Sequence, residues 1–83
     1  MHINTTIFRE LQAANAWQTF AALEWKTRQV VLTRLYALAS QMLIQTDGLA
    51  EQAEREINLL TGSSLLGQVA GQSLRKWADN GIP

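Results

Sequence analysis

The distribution of glycine and proline constrains this chain more than any other feature. The single proline is Pro83, and all five glycines lie at or beyond Gly48. Because glycine and proline are the strongest helix breakers, nothing obliges a helix to end in the first half of the chain. No stretch alternates polar and apolar residues with the β-branched enrichment that is typical of strands. The sequence therefore predicts an all-α protein.

Apolar residues at helical spacing predict two helices in the first half. Side-chain oxygens at residues 4–6 could cap a start near residue 6. The apolar pattern weakens at residues 24–28, where Thr27 could cap a second helix that extends to about residue 45. A single unbroken helix over residues 6–45 is the alternative.

The second predicted helix carries two adjacent apolar rows. The first row consists of Val31, Leu35, Leu38 and Met42, and the second of Leu32, Tyr36, Ala39 and Leu43. Both rows follow helical periodicity. A face of this width cannot be covered by one neighbour, so we expect this helix to be central and covered from two sides.

Two further helices are predicted in the second half. One extends from about Leu49 to Leu60, and its expected inward positions are Leu49, Ala53, Ile57 and Leu60. Gly62 is suited to end it, and Ser63 or Ser64 to cap a last helix from about Leu65 to Asp79. The sequence thus predicts a small bundle of about four helices in a single domain over residues 1–83.

The titratable residues do not form a recognisable catalytic or metal site. The sole histidine, His2, is next to a chain end, and the chain contains no cysteine. Acidic residues near the start of the third predicted helix, such as Glu51 and Glu54, are explained by the favourable interaction of carboxylates with a helix N-terminus. EF-hand, HExxH, P-loop and GxGxxG spacings are absent. We therefore expect no enzyme activity, no cofactor, no metal and no small-molecule substrate.

Charge and hydropathy bear on partners and location. Seven Lys and Arg balance seven Asp and Glu, which gives no net attraction for nucleic acid or an acidic membrane. Residues 1–46 contain four basic and two acidic residues, whereas residues 47–83 contain three basic and five acidic residues, so the halves can attract each other or a second copy. No signal peptide or membrane-spanning segment is predicted. The lack of cysteine fits a reducing compartment, and we expect a cytoplasmic location.

Five residues are candidates for an interaction surface: Trp25, Tyr36, Gly67, Gly71 and Trp77. Trp25 lies between two charged residues and Trp77 follows two, so both have the amphipathic surroundings that suit an interface. Trp17 is expected in the core. Gly67 and Gly71 form a GxxxG step that lets another backbone approach closely. Packing within the chain, a self-association seam and a ligand groove all remain open for this step.

These features predict a non-enzymatic helical module that interacts with proteins through an apolar face. A chain of this length buries only about 60 to 65% of its unfolded surface, and disulfides cannot stabilise it. The wide apolar faces leave more apolar surface than short neighbouring helices can cover. We expect a homodimer that completes the bundle, or a larger protein that covers the same face.

One segment resembles a known family. The run Leu60-Thr61-Gly62-Ser63-Ser64-Leu65-Leu66 is similar to the segment around the modified serine of acyl and peptidyl carrier proteins. The resemblance implies that Ser64 carries a phosphopantetheine arm at the start of a helix. The sequence departs from the family in having Ser63 where many members have aspartate, and a predicted helix over residues 49–60 where carriers have a long loop.

Overall fold

The computed structural model describes residues 3–45 and 47–81, which contain five α-helices and no β-strand. The helices are α1 (Ile3–Ala13), α2 (Trp17–Ala21), α3 (Trp25–Gln41), α4 (Leu49–Thr61) and α5 (Ser64–Asn80). They pack into a compact helical bundle, and the predicted all-α fold is confirmed. The helix count of about four is low by one, because the first predicted helix is divided.

The division between α1 and α2 occurs at Asn15. This residue has a φ of +57°, in the left-handed region that asparagine tolerates better than most residues. The chain reverses tightly here, since the Ala16 N–H donates to the carbonyl oxygen of Leu11 at 2.7 Å. The predicted start near residue 6 is also wrong, because α1 begins at Ile3.

A second break separates α2 from α3, so the unbroken helix over residues 6–45 is wrong. Arg28 stabilises the break by donating from Nη1 to the carbonyl oxygens of Ala21 at 2.8 Å and Leu23 at 2.7 Å. These carbonyls lie at the end of α2, where no helical N–H is available. Thr27 does not cap the new helix as expected, because α3 begins at Trp25, after an extended Glu24.

A two-residue loop joins α4 to α5 as the sequence predicted. Gly62 has a φ of +69°, and its N–H donates to the carbonyl oxygen of Asn58 at 2.8 Å. Ser63 Oγ accepts a hydrogen bond from the Leu66 N–H at 3.1 Å, which satisfies a free donor of the first turn of α5. Both predicted caps are confirmed, and the short loop places α4 and α5 side by side.

α4 and α5 approach each other most closely along the GxxxG step. A β-carbon on Gly67 would lie 2.7 Å from the carbonyl oxygen of Glu54, and one on Gly71 would lie 3.1 Å from that of Ala50. A side chain at residue 67 is therefore excluded unless the backbone shifts, whereas one at residue 71 would fit tightly. Of the roles left open for Gly67 and Gly71, close packing within the chain is the one that the structure shows.

α5 is the central helix, which corrects the expectation for the helix now numbered α3. Eight residues of α5 are buried, and it packs on α1, α3 and α4. Small residues on several of its sides allow neighbours to approach from more than one direction. Trp77 is 3% exposed in this packing, which corrects the expectation that it lies on a surface.

Buried side chains from all five helices, together with Ala16 between α1 and α2, form the core. They are Ile7, Leu11, Ala16, Phe20, Val31, Leu35, Leu38, Ala39, Leu49, Ala53, Ile57, Leu66, Val69, Ala70, Leu74 and Trp77. The first predicted row of α3 is buried up to Leu38, and Met42 is half-buried. Leu60 was expected to point inward but is 42% exposed, so the buried face of α4 ends at Ile57.

Candidate protein-interaction surface

The residues proposed from sequence for an interaction surface separate into two groups. Gly67, Gly71 and Trp77 are buried within the chain. Trp25 and Tyr36 are 64% and 55% exposed, although both are large aromatic side chains. Only the second group is therefore available to another molecule, and it lies on one helix, α3.

Trp25 and Tyr36 belong to an apolar row on the outer side of α3, which we call the α3 stripe. It consists of Trp25, Leu32, Tyr36 and Leu43. Seven residues separate Trp25 from Leu32 and Tyr36 from Leu43, and seven residues make just under two helical turns. Leu43 lies just beyond α3, where its N–H donates to the Ser40 carbonyl oxygen at 3.2 Å and keeps the chain coiled. The stripe thus extends along the whole of α3.

Three aromatic side chains form a cluster beside the stripe. The rings of Phe8 and Trp17 meet edge to face, with centroids 5.3 Å apart and an interplanar angle of 82°. Phe20 completes the cluster, with its centroid 6.2 Å from that of Phe8 and 6.1 Å from that of Trp17. Such spacings are favourable for aromatic pairs. Trp17 is 38% exposed, which corrects the expectation that it belongs to the core.

An open groove of about 370 Å³ lies between this cluster and α3, and we call it the aromatic groove. Its lining residues are Phe8, Trp17, Phe20, Ala21, Arg28, Gln29 and Leu32. Leu32 belongs to both the groove and the α3 stripe, so the two form one continuous surface. Arg28 is the ionisable residue among those lining residues, and its guanidinium already bonds to the end of α2.

Sequence reasoning found Trp25 and Tyr36 but missed the groove. The groove exists because the chain breaks at Asn15 and again before Trp25, which folds α2 back toward α1 and α3. Trp17 and Phe20 are three residues apart and therefore neighbours on a helix, which was a usable signal. That signal could not reveal that Phe8 joins them from a separate helix.

Three ion pairs connect the helices on the rest of the described surface. Arg34 binds Glu56 at 2.7 Å, Lys76 binds Glu10 at 2.8 Å, and Arg75 binds Glu51 at 3.4 Å. The hydrogen bonds between Arg34 and Glu56 lower the pKa of the Glu56 carboxyl and raise that of the guanidinium. Glu51 lies in the first turn of α4. The pKa of its carboxyl is lowered, mainly because the carboxylate accepts a hydrogen bond from the backbone N–H of Glu51 itself.

Ser64 is exposed at the first position of α5. This position agrees with the resemblance to carrier proteins, in which the modified serine opens a helix. The preceding residues disagree with it, because α4 ends at Thr61 and no long loop precedes Gly62. The structure therefore supports the accessibility of Ser64 but not the surrounding carrier architecture.

In residues 3–45 and 47–81, no group of three or more acidic, histidine or cysteine side chains is placed to share a metal ion. No helix in that part of the chain combines the length and apolar character that crossing a membrane requires.

Comparison with protein families, with curated proteins and with solved structures finds no match to this chain.

Proposed function

We propose that this protein is a non-enzymatic interaction module that binds an amphipathic helix of another protein. The observation that carries the proposal is the exposure of Trp25 and Tyr36, at helical spacing, beside an apolar groove. Large aromatic side chains often supply much of the binding energy at interfaces, because each buries a large apolar area and retains a polar group. The α3 stripe and the aromatic groove are the proposed docking surface.

The spacing of the stripe favours a helix as the bound element. Seven-residue spacing is the pattern by which side chains of one helix fit between those of a helix lying alongside. From Trp25 to Leu43 the stripe covers about 27 Å at 1.5 Å per residue, which is the length of five helical turns. We expect the partner helix to place aliphatic side chains on the stripe and in the groove.

Charge adds one requirement for the partner. Arg28 borders the groove, and its cationic group would attract an acidic side chain at the edge of the partner helix. The partner is thus an amphipathic helix with an aliphatic face and an acidic residue beside that face. We also propose a cytoplasmic location, which the lack of cysteine supports.

Affinity capture from the native host tests the proposal by comparing three forms of this protein as bait. The bait is used as wild type, as the double variant Trp25→Ala/Tyr36→Ala, and as the matched control Gln68→Ala/Gln72→Ala, which changes two exposed residues of α5. Circular dichroism checks that all three forms are equally helical. We expect a protein that the wild type and the control retain and the double variant loses.

A peptide then tests the contact directly. A synthetic peptide of the captured protein's amphipathic helix should bind purified wild type at least about tenfold more tightly than the double variant. Binding should also shift the tryptophan fluorescence to shorter wavelength, as water is excluded from Trp25 and Trp17. Equal capture by the wild type and the double variant would refute the proposed surface, as would a peptide that binds both equally.

A carrier function at Ser64 is the second candidate, and one observation favours it. The Ser64 hydroxyl is exposed at the first position of α5, directly after the cap formed by Gly62 and Ser63. Coexpression with a phosphopantetheinyl transferase, followed by intact-mass measurement of the wild type and of Ser64→Ala, tests it. A mass increase confined to the wild type would support a carrier, and an unchanged mass would eliminate it.

A further inference from the structure

A second exposed apolar surface lies on the opposite flank of α3 from the stripe, and we call it the α3–α4 face. Its apolar members are Val30, Ala37, Leu59 and Leu60, which surround Arg34 and Glu56. Leu59 is 84% exposed, Val30 48% and Leu60 42%. Two shallow grooves of about 340 and 300 Å³ meet here and share Val30 and Arg34, so the face is continuous.

The ion pair at the centre of the face has a fixed geometry. Arg34 Nε donates to Glu56 Oε1 at 2.7 Å, and Arg34 Nη2 donates to Glu56 Oε2 at 3.0 Å. Two parallel hydrogen bonds hold the planar groups in one orientation. About a third of each side chain remains exposed, with 37% for Arg34 and 30% for Glu56. The other nitrogen of the guanidinium, Nη1, has no acceptor among the described residues and can donate to a second molecule.

The charges of the face select its occupant. Arg34 and Glu56 supply one positive and one negative charge, and the other residues that line the two grooves are uncharged. A partner surface of either sign would repel one member of the pair. A second copy turned by a twofold axis presents Glu56 to Arg34 and Arg34 to Glu56, so the face is complementary to itself.

The apolar part of the face agrees with this occupant. Interfaces are enriched in arginine, and here apolar side chains surround Arg34. Leu59 occupies an outward position of α4 where a polar residue would be expected on a solvated helix. A twofold contact would cover each of these apolar residues on both copies at once.

We propose that two copies of this chain form a twofold dimer through the α3–α4 face, with Arg34 of each copy beside Glu56 of the other. This dimer leaves the α3 stripe and the aromatic groove of both copies open. It does not depend on the proposed function, because the two surfaces present different apolar side chains, and Gln29 is the one residue that lines a groove of each.

Light scattering coupled to size exclusion, over a range from low to several hundred micromolar protein, measures the dimer. The wild type should show twice the chain mass of 9.3 kDa at the upper concentrations. Leu59→Glu should raise the dimer dissociation constant at least about tenfold, because it places two carboxylates in the apolar contact. Leu43→Glu is the matched control, since Leu43 is 82% exposed and lies off this face.

Charge exchange tests the pairing between copies. Arg34→Glu alone and Glu56→Arg alone each place four like charges at the contact, so each should be monomeric. Mixed in equal amounts, the two variants should form a heterodimer, because every charge then faces an opposite charge across the contact. Circular dichroism establishes that each variant is folded.

Each outcome decides the proposal. A wild type that remains monomeric at every concentration overturns it and leaves the face to a different protein. A dimer that Leu59→Glu leaves intact, or that Leu43→Glu disrupts equally, places the contact elsewhere and also overturns it. Failure of the mixed charge variants to associate overturns the pairing of Arg34 with Glu56. Loss of the dimer in Trp25→Ala/Tyr36→Ala would assign self-association to the stripe instead.

Discussion

Gly67 packs directly against the backbone carbonyl oxygen of Glu54. A β-carbon on residue 67 would lie only 2.7 Å from that oxygen. One turn further along α5, Gly71 lies against the carbonyl oxygen of Ala50 with slightly more room, at 3.1 Å for the same β-carbon. The two glycines let α5 pack on the backbone of α4. Because α5 also contacts α1 and α3, this approach determines where the rest of the bundle can pack.

Replacing Gly67 with alanine tests this approach. Gly67→Ala should lower the free energy of unfolding by about 1 to 3 kcal/mol, because the clash is with backbone, which cannot move aside cheaply. Gly71→Ala is the matched control. A β-carbon there would be tight against the Ala50 carbonyl oxygen and the flexible Glu54 side chain. Alanine's higher helix propensity, worth about 1 kcal/mol, should offset that cost. The urea midpoint of unfolding of Gly67→Ala should be well below that of Gly71→Ala, and equal midpoints would contradict the close approach of α5 to α4.

Ser73 is fully buried, and its hydroxyl has no hydrogen-bond partner in the described residues. It borders an internal cavity of about 10 Å³ whose other lining residues are apolar. That space is about one water molecule in size, but it offers a water few polar partners. Ser73→Ala should therefore raise the free energy of unfolding by about 1 kcal/mol, by removing an unsatisfied polar group.

The control for Ser73→Ala is Ser40→Ala. Ser40 is exposed, and its hydroxyl donates to the Tyr36 carbonyl oxygen at 3.0 Å. This substitution removes a hydroxyl that is already satisfied, so it should not give the same gain. Thermal unfolding of both variants makes the comparison, and a lower melting temperature for Ser73→Ala would show that its hydroxyl has a partner.

Leu38 and Leu43 test the packing of α3. Leu38 is 0% exposed, so Leu38→Ala should cost about 2 to 5 kcal/mol through lost burial and the cavity that it leaves. Leu43 is 82% exposed, so Leu43→Ala should change stability by no more than about 0.5 kcal/mol. Denaturant unfolding at low protein concentration measures both, and similar midpoints would show that α3 is not packed as described.

Because of Glu56, the free energy of unfolding should depend on pH in the acidic range. Arg34 lowers the pKa of the Glu56 carboxyl below its ordinary value of 4.5. The pair therefore stabilises the fold fully above that ordinary value, and the contribution is lost as the pH falls through the lowered pKa. Because both side chains are about one-third exposed, we expect no more than about 1 kcal/mol at pH 7.

A double-mutant cycle isolates this contribution. Glu56→Gln and Arg34→Gln should each lower the free energy of unfolding at neutral pH, and the double variant should lose little more than either one. The difference between the wild type and Glu56→Gln should then shrink in acid. A difference that stays constant from neutral to strongly acidic solution would contradict a lowered pKa of Glu56 in the folded protein.

The local features of the fold were predictable from sequence because their causes lie within a few residues. Gly62 and Ser63 end one helix and begin the next through bonds to Asn58 and Leu66, their near neighbours in the chain. The first row of α3 was recognisable because periodicity alone places Val31, Leu35 and Leu38 on one side. The exposure of Trp25 was likewise expected from its charged neighbours.

The break at Asn15 was not predictable in this way. Neither glycine nor proline is present there, and Asn15 adopts a left-handed conformation that asparagine tolerates but does not require. The aromatic groove follows from that break, because it joins Phe8 of α1 to Trp17 and Phe20 of α2. A sequence read one helix at a time cannot bring these three side chains together.

The sequence by itself determined that the chain is helical and where its second half turns, since helix propensity and capping act over one or two turns. The tertiary structure alone decided which helix is central and which apolar residues stay exposed. Trp77 is buried and Trp25 is exposed, although both have charged neighbours. The small residues of α5 let other helices enclose Trp77, whereas no described helix covers the outer side of α3, where Trp25 lies. Burial depends on what packs against a residue, and contacts between distant parts of the chain decide that.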